Sequence, residues 1–182
     1  RIKRAQEFLH AGESYEVCLT DTYTSAAEGE LYPQLRSHNP APYAAHLIFD
    51  GVEVCSASPE RFLTVRGREV EAKPIKGTIS AAQDPALLTT DPKTRAENLM
   101  IVDLLRNDLS RVCEPGSVRV PKLMQVESYA TVHQLVSTIT GQLRTGATAV
   151  DALRAAFPPG SMTGAPKLRT CEIIDQLETG PR

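Results

Sequence analysis

The sequence lacks the features that mark nucleic-acid-binding and membrane proteins. It has no block of basic residues: its 20 lysines and arginines stand against 22 aspartates and glutamates, for a net charge of −2. A protein that binds nucleic acid usually has a basic patch, and this composition gives no indication of one. No apolar run approaches the roughly 20 residues needed to cross a bilayer, and no signal-peptide pattern is present. We therefore expect neither a nucleic-acid partner nor a membrane.

Paired cysteines are also missing. Cys18, Cys55, Cys113 and Cys171 are widely spaced, form no CxxC pair and have few histidines nearby in the sequence. This spacing argues against a zinc site and against a disulfide scaffold. Free thiols are typical of a reducing compartment, so we expect a cytoplasmic protein.

The composition that remains is that of a globular domain. Apolar residues make up 41% and charged residues 23% of the 182 positions, enough to build a substantial core. The chain opens without Met, inside a helical pattern. We therefore expect residues 1–182 to be one catalytic domain that is incomplete at both ends.

Hydrophobic periodicity predicts strands in runs, separated by helices in blocks, which indicates an α+β fold. Helix patterns cover residues 2–11, about 28–37, about twenty residues from Asp91-Pro92, 148–156 and about 165–178. Strand patterns cover residues 14–20, 43–49, 52–57, 61–65, 69–73, about 117–126 and 128–143.

One lysine occupies an unusual place in these patterns. Val70, Ala72, Pro74 and Lys76 share a strand face if the register continues through the proline. A desolvated lysine has a lowered pKa, and its neutral amine is a nucleophile or a base. The alternative is a strand-end lysine that extends to solvent. Gly77 follows, and its missing Cβ permits a close approach of backbone or ligand.

The long predicted helix carries two carboxylates on its apolar side. At 100° per residue, Glu97, Ile101, Leu104 and Asp108 form one stripe. A buried carboxylate needs a cation. That cation is either an arginine or lysine or a hard metal ion such as Mg²⁺, and the pattern leaves both open.

Three further positions are candidates with ordinary alternatives. Residues 157–167 form a Gly/Ser/Thr loop that opens a helix, which favours binding of a small carboxylate, although an ordinary capped helix has the same pattern. Glu60 follows a strand end, where an exposed acid is the usual case. His133 shares a strand face with Leu135 and Ile139, where a satisfied core histidine is more common than a catalyst.

Taken together, the segments resemble the chorismate-utilising enzymes, which include anthranilate synthase component I, aminodeoxychorismate synthase component I, and the isochorismate and salicylate synthases. The likeness covers essentially the whole chain. It rests on residues 56–62, 74–78, 96–108, 133 and 160–167. The resemblance implies a layered α+β sandwich, with two packed antiparallel sheets and flanking helices, of which this chain holds only a part.

Within that family, the Pro-Ile-Lys-Gly-Thr segment is most similar to the aminodeoxychorismate synthases, since anthranilate synthases carry alanine at the position of Lys76. The resemblance implies that Lys76 attacks C2 of chorismate and displaces the C4 hydroxyl. Ammonia from a glutamine amidotransferase, separate or fused, then adds at C4 and the lysine leaves. The product, 4-amino-4-deoxychorismate, is used for folate. The alternatives are anthranilate synthase component I and a non-catalytic chorismate-binding relative.

The resemblance also assigns the other site residues. Glu60 becomes the acid that assists loss of the hydroxyl, Glu97 a Mg²⁺ ligand and His133 a catalytic residue near the ring. Four residues are implied to bind substrate: Gly77, Thr78, Thr163 and Gly164. One departure is Glu16, where many amine-transferring relatives carry glutamine and water-adding ones carry lysine. Glu16 either polarises ammonia or pairs with Lys76, and the absent lysine disfavours isochorismate and salicylate chemistry.

Overall fold

A computed structural model describes residues 1–26 and 29–180 of the protein. The chain divides into two compact units. The first unit contains Arg1–Asp21 and the chain from Phe62 onward, and the second contains Thr22–Arg61. None of the described helices is both long enough and apolar enough to cross a membrane.

Helices and antiparallel strands alternate in blocks, which confirms the predicted α+β class. The helices are α1 (Ile2–His10), α2 (Leu31–His38), α3 (Ala86–Thr90), α4 (Pro92–Ser110), α5 (Ala149–Ala156) and α6 (Lys167–Leu177). The strands are β1 (Glu16–Val17), β2 (Tyr43–Phe49), β3 (Val52–Ser58), β4 (Thr64–Arg66), β5 (Glu69–Ala72), β6 (Ile75–Ser80), β7 (Arg119–Ser128), β8 (Val132–Gln142) and β9 (Gly164–Ala165).

The first unit is built on β8, the central strand of a five-stranded antiparallel sheet. β7 pairs along one edge of β8, while β5 and β6 pair end to end along the other, and β4 lies outside β5. Because both faces of β8 are covered, its middle residues from Leu135 to Ile139 are all buried.

The core lies between this sheet and α4. It contains Val70 and Ala72 of β5, Ile139 of β8, and Ile101 and Leu105 of α4. The start of α4 is the predicted one: Pro92 occupies the first turn and the carboxylate of Asp91 accepts the Thr94 N–H at 2.8 Å. That cap satisfies one of the free amide groups at the helix start.

The second unit consists of α2 and the β2–β3 hairpin. Tyr43 pairs with Ser58 and Phe49 with Val52, so the hairpin turns at Asp50-Gly51 as predicted. Gly51 has a φ of 77°, which a tight hairpin turn requires and glycine adopts readily. The predicted start of α2 at residue 28 lies outside the described residues.

Some element boundaries differ from the predictions. The strand predicted over 14–20 is only β1, because the strand that it pairs with among the described residues, β9, is two residues long. The helix predicted from 165 begins at Lys167, after Pro166 in an extended conformation. Strand β6 and helix α3 were not predicted, because each is too short to show a clear hydrophobic period.

Candidate active site

Lys76 lies in a bulge of β6. Ile75 pairs with Val136 but Thr78 pairs with Gln134, so β6 has one residue more than β8 across this step. The Ser137 N–H donates to the Pro74 carbonyl at 3.2 Å, so pairing with β8 continues through the proline, which was the condition set for the placement of Lys76. A bulge changes the direction of the side chain it carries.

Gly77 completes the bulge with a φ of 91°. A Cβ at this position would lie 2.3 Å from Cγ2 of Thr94 and 3.1 Å from Cδ2 of Leu88. The missing side chain therefore makes room for α3 and α4 to pack against the strand. The close approach expected at Gly77 is made by the Thr94 and Leu88 side chains. A role of Gly77 in substrate binding stays a prediction.

The amine of Lys76 is paired with Glu16. Its Nζ donates to Oε1 of Glu16 at 2.9 Å, and the two side chains are only 16% and 24% exposed. This pairing was one of the two roles considered for Glu16. The other carboxylate oxygen, Oε2, is buried and has no hydrogen-bond partner among the described residues. The pair thus keeps one acceptor oxygen unused.

A glycine in the neighbouring strand holds Glu16 in place. Gly164 pairs with Val17, and a Cβ on Gly164 would lie 1.9 Å from the Glu16 carbonyl oxygen. Only glycine allows the two backbones to approach this closely. Ser14 adds a second contact, since its hydroxyl donates to the same carbonyl oxygen at 2.8 Å.

A cavity of about 730 Å³ opens beside this pair. Tyr15 and Glu16 line it together with the α4 residues between Ala96 and Arg106. Its charged groups are three carboxylates, on Glu16, Glu97 and Asp103, and the Arg106 guanidinium. Lys76 is not a lining residue and approaches the cavity through Glu16. The cavity therefore brings together Glu16 and the predicted metal ligand Glu97.

Glu97 lies at the edge of the buried face of α4. The predicted inward stripe is therefore wrong, because the centre of the buried face is shifted away from Glu97. The buried positions are Asn98, Ile101, Val102, Leu105, Asp108 and Leu109. The helix is rotated toward Asn98 because that side chain bonds to β8: its Oδ1 accepts the Ser137 hydroxyl at 2.6 Å. Glu97 is 38% exposed, with the Lys93 amine 3.7 Å away. It belongs to no group of three clustered His, Cys, Asp or Glu ligands within residues 1–26 and 29–180.

Asp108, the second carboxylate of that stripe, is buried and has a lysine as its cation. Nζ of Lys167 donates to Oδ2 of Asp108 at 2.6 Å and to the Ala156 carbonyl at 2.7 Å. Burial raises the pKa of Asp108, and the neighbouring Lys167 ammonium opposes that effect. Of the two cations considered, the protein side chain is the one present at Asp108.

His133 is the second residue of β8 and is half-buried. Its Nδ1 is 2.8 Å from the Ser128 hydroxyl across the β7–β8 pairing. Thr78 is exposed, and its hydroxyl accepts a long hydrogen bond of 3.4 Å from Gln134. Neither residue lines the cavity beside Glu16.

Thr163 and Gly164 are not at a helix start, which corrects the prediction. They follow the 3₁₀ turn Gly160–Met162 and run into β9, ahead of α6. The Thr163 hydroxyl donates to the Pro159 carbonyl at 3.0 Å, and its own carbonyl accepts the Cys18 N–H. These contacts brace the β1–β9 pairing beside Glu16. Binding of a substrate carboxylate by Thr163 and Gly164 stays a prediction.

Glu60 lies in the second unit, after the end of β3, where it is half-buried. The Ser58 hydroxyl donates to the Glu60 carbonyl at 3.0 Å, which shapes the turn that carries the side chain. A strand end followed by an acid was the only sequence signal for this residue.

Comparison with known proteins identifies the family of the chain. The family of chorismate binding enzymes matches residues 1–182, the whole of the chain. The chain belongs to this family. The resemblance inferred from five sequence segments is thereby confirmed.

The relatives that are 49–54% identical are named aminodeoxychorismate synthase, and one relative at 45% identity is named anthranilate synthase component 1. The chain is 54% identical to aminodeoxychorismate synthase, chloroplastic, of Arabidopsis thaliana, over 100% of this chain and 21% of the relative. It is 49% identical to aminodeoxychorismate synthase component 1 of Klebsiella aerogenes, over 98% of this chain and 42% of the relative. The chain therefore spans less than half the length of these relatives.

A solved structure confirms the expected fold. The crystal structure of anthranilate synthase component I from Streptococcus pneumoniae TIGR4 superposes with a TM-score of 0.88 at 36% identity, covering 100% of this chain and 42% of that one. The chain thus has the fold of part of that chorismate binding enzyme.

Proposed function

We propose that residues 1–182 form part of the catalytic domain of an enzyme that aminates chorismate at C4, giving 4-amino-4-deoxychorismate for folate synthesis. The names of the relatives that are about 50% identical support this reaction. The observation that carries the proposal is the Lys76 amine, 16% exposed in a strand bulge and 2.9 Å from a carboxylate. A lysine held out of water beside a proton acceptor suits nucleophilic attack.

In the first step of the proposed reaction, Lys76 acts as the nucleophile, Glu16 as the base and Glu60 as the acid. An ammonium ion is not a nucleophile, so Lys76 first gives a proton to Glu16, whose carboxylate is already its hydrogen-bond partner. The free amine bonds to C2 of chorismate, the ring double bonds shift and the C4–oxygen bond breaks. Glu60 protonates the departing hydroxyl, which leaves as water. His133 contacts the ring and Gly77, Thr78, Thr163 and Gly164 contact the substrate.

In the second step ammonia replaces the lysine. Its nitrogen bonds to C4, the double bonds shift back and the C2–Nζ bond breaks, which returns Lys76 as an amine. Covalent catalysis of this kind replaces one difficult substitution by two easier ones. The ammonia comes from a glutamine amidotransferase, as a subunit or a fused domain. The words "component 1" in the name of the Klebsiella relative fit a partner of this kind.

The acidic cavity supports a role for Mg²⁺. Three carboxylates and a single guanidinium line it, which would repel the two carboxylates of chorismate unless a cation intervenes. Glu97, at the cavity and partly exposed, fits as one oxygen ligand, since Mg²⁺ is commonly held by one or two carboxylates plus substrate. When bound, Mg²⁺ neutralises charge and orients the substrate carboxylate.

We place the enzyme in the cytoplasm.

Product analysis of the complete enzyme with chorismate, Mg²⁺ and ammonium tests the proposal. We expect 4-amino-4-deoxychorismate. Anthranilate and pyruvate would instead establish anthranilate synthase chemistry, a candidate favoured by the 36% identity to the solved structure. Chorismate binding without any product would establish a non-catalytic relative and overturn the proposed activity.

A further inference from the structure

A separate group of potential metal ligands lies on the β2–β3 hairpin of the second unit. It contains His46, Glu53 and Cys55, whose ligand atoms all lie within 4.8 Å of one another. His46 and Cys55 pair directly across the two strands. Glu53 is two residues from Cys55, on the same face, because side chains alternate along a strand. No residue assigned to chorismate chemistry belongs to this group.

The spacing of the three ligand atoms suits a tetrahedral ion. Zinc bonds of about 2.0–2.3 Å place tetrahedral ligand atoms about 3.3–3.8 Å apart. Sγ of Cys55 lies 3.5 Å from Oε1 of Glu53. Nε2 of His46 lies 2.7 Å from the same oxygen, so the imidazole and the carboxylate need to separate by less than a bond length to admit an ion.

Both neighbours of the Glu53 carboxylate bond to the same oxygen. The His46 ring nitrogen lies 2.7 Å and the Cys55 sulfur 3.5 Å from Oε1. A bound cation would replace the thiol proton of Cys55, as is general for thiolate ligands.

A fourth residue fixes the histidine ring. Tyr32 of α2 stacks on His46 with a centroid separation of 4.6 Å and an interplanar angle of 16°. Stacking orients the imidazole so that Nε2 faces Glu53 and Cys55. The stack restricts the ring, a function that a hydrogen bond to the second ring nitrogen has at most metal-ligating histidines.

We propose that His46, Glu53 and Cys55 bind a borderline-soft divalent cation of the zinc class. One nitrogen, one oxygen and one sulfur ligand favour Zn²⁺ over the hard ion Mg²⁺, which prefers oxygen. The three protein ligands leave the fourth position to water. Because the ligands come from both strands, the ion would cross-link the hairpin within the second unit.

Titration of the metal-free 182-residue chain with Co²⁺, followed by displacement with Zn²⁺, tests this site. Co²⁺ reports a thiolate ligand through a sulfur-to-metal charge-transfer band and tetrahedral geometry through its visible spectrum. We expect one equivalent of Co²⁺ with both signals. Cys55→Ser should remove the charge-transfer band, whereas the matched control Cys18→Ser, a half-buried thiol in the first unit, should keep it.

Calorimetry with Zn²⁺ gives the second readout. Cys55→Ser and His46→Gln should each weaken binding about tenfold or more, since changes behind a ligand alone cost about 10–100-fold. The far-ultraviolet spectrum verifies the fold of each variant, and His46→Gln decides the matter if Cys55→Ser does not fold. The absence of a charge-transfer band, or unchanged Zn²⁺ affinity in the folded variants, would overturn the site.

Discussion

At the scale of single residues, the site depends on which carboxylates are paired with protein cations and which are open to the cavity. Asp108 has its own lysine, whereas Glu97 is at the cavity, with the exposed Lys93 amine 3.7 Å away. The sequence predicted both as inward carboxylates that need cations. It could not separate them, because the rotation of α4 depends on the hydrogen bond between Asn98 and Ser137 in a distant strand.

Glu97→Gln in the complete enzyme should shift the Mg²⁺ titration of activity to higher concentration while leaving the unfolding midpoint nearly unchanged. The amide keeps the shape but removes the charge that attracts the ion. The matched control is Asp103→Asn, another carboxylate of α4 at the same cavity, for which we expect the wild-type titration. A wild-type Mg²⁺ titration in Glu97→Gln would make Glu97 a structural residue.

Lys167→Met should lower the free energy of unfolding by about 3–5 kcal/mol, because it leaves the Asp108 carboxylate buried without its cation. Urea unfolding measures this loss. Combining it with Asp108→Leu removes the stranded charge and should recover most of the stability. Arg106→Met, which removes the exposed partner of Asp103, should cost about 1 kcal/mol or less. A double variant no more stable than Lys167→Met would contradict the account.

At the scale of elements, the sequence predicted the parts with strong local signals. The hairpin turn at Asp50-Gly51 and the Asp91-Pro92 start of α4 are confirmed, because a turn glycine, a cap and a proline act within a few residues. The bulge at Lys76 and the short β1–β9 pairing were beyond prediction, since both depend on partners distant in the chain. The predicted turn at Asp50-Gly51 also places His46 opposite Cys55, but this pair was missed because only the spacing between cysteines was considered as evidence for zinc.

The start of α5 gives a prediction about pH. Thr148 and Asp151 form a reciprocal cap, and the hydrogen bond from the Thr148 hydroxyl, then that from its N–H, lowers the pKa of Asp151. A lowered folded-state pKa adds stability above the unfolded pKa of about 4, and that stability is lost as the pH falls through the folded value.

Asp151→Asn should therefore melt below the wild type at pH 7, and the difference should shrink as the pH falls below about 4. Thermal unfolding followed by circular dichroism at both pH values measures it. Thr148→Ala removes the hydroxyl that donates to this carboxylate, so it should also melt below the wild type at pH 7, by a margin that shrinks below about pH 4. A difference between Asp151→Asn and wild type that stays constant with pH would show that the carboxylate charge is unimportant.

At the scale of the whole molecule, the residues with proposed catalytic roles are not confined to the cavity. The cavity joins Glu16 and Glu97, while His133 lies at one end of β8 and Glu60 in the second unit. The chain spans 42% of the Klebsiella relative. The sequence motifs identified the family, but no local pattern could show how much of a site one segment completes.

The isolated 182-residue chain should not turn over chorismate, because the described residues place a single predicted Mg²⁺ ligand, Glu97, at the cavity. A steady-state assay with chorismate, Mg²⁺ and ammonium measures this, and circular dichroism verifies that the chain is folded. The complete enzyme is the positive control. Sustained turnover by the chain alone would mean that its residues suffice for catalysis.

The central claim is that Lys76 is the nucleophile that makes C4 amination possible. Lys76→Ala in the complete enzyme should lower the rate by orders of magnitude while chorismate still binds, and a trace of C2 amination is expected. The control is Lys73→Ala, which removes a nearby lysine whose amine is paired with Glu127 at 2.6 Å and should leave the rate nearly unchanged.

Mass spectrometry of the complete enzyme quenched during turnover with chorismate tests this claim most directly. We predict an adduct of chorismate less one water on the peptide that contains Lys76, present in wild type and Lys73→Ala and absent in Lys76→Ala. A wild-type rate in Lys76→Ala, with no adduct in any form of the enzyme, would contradict the account and favour direct addition of ammonia.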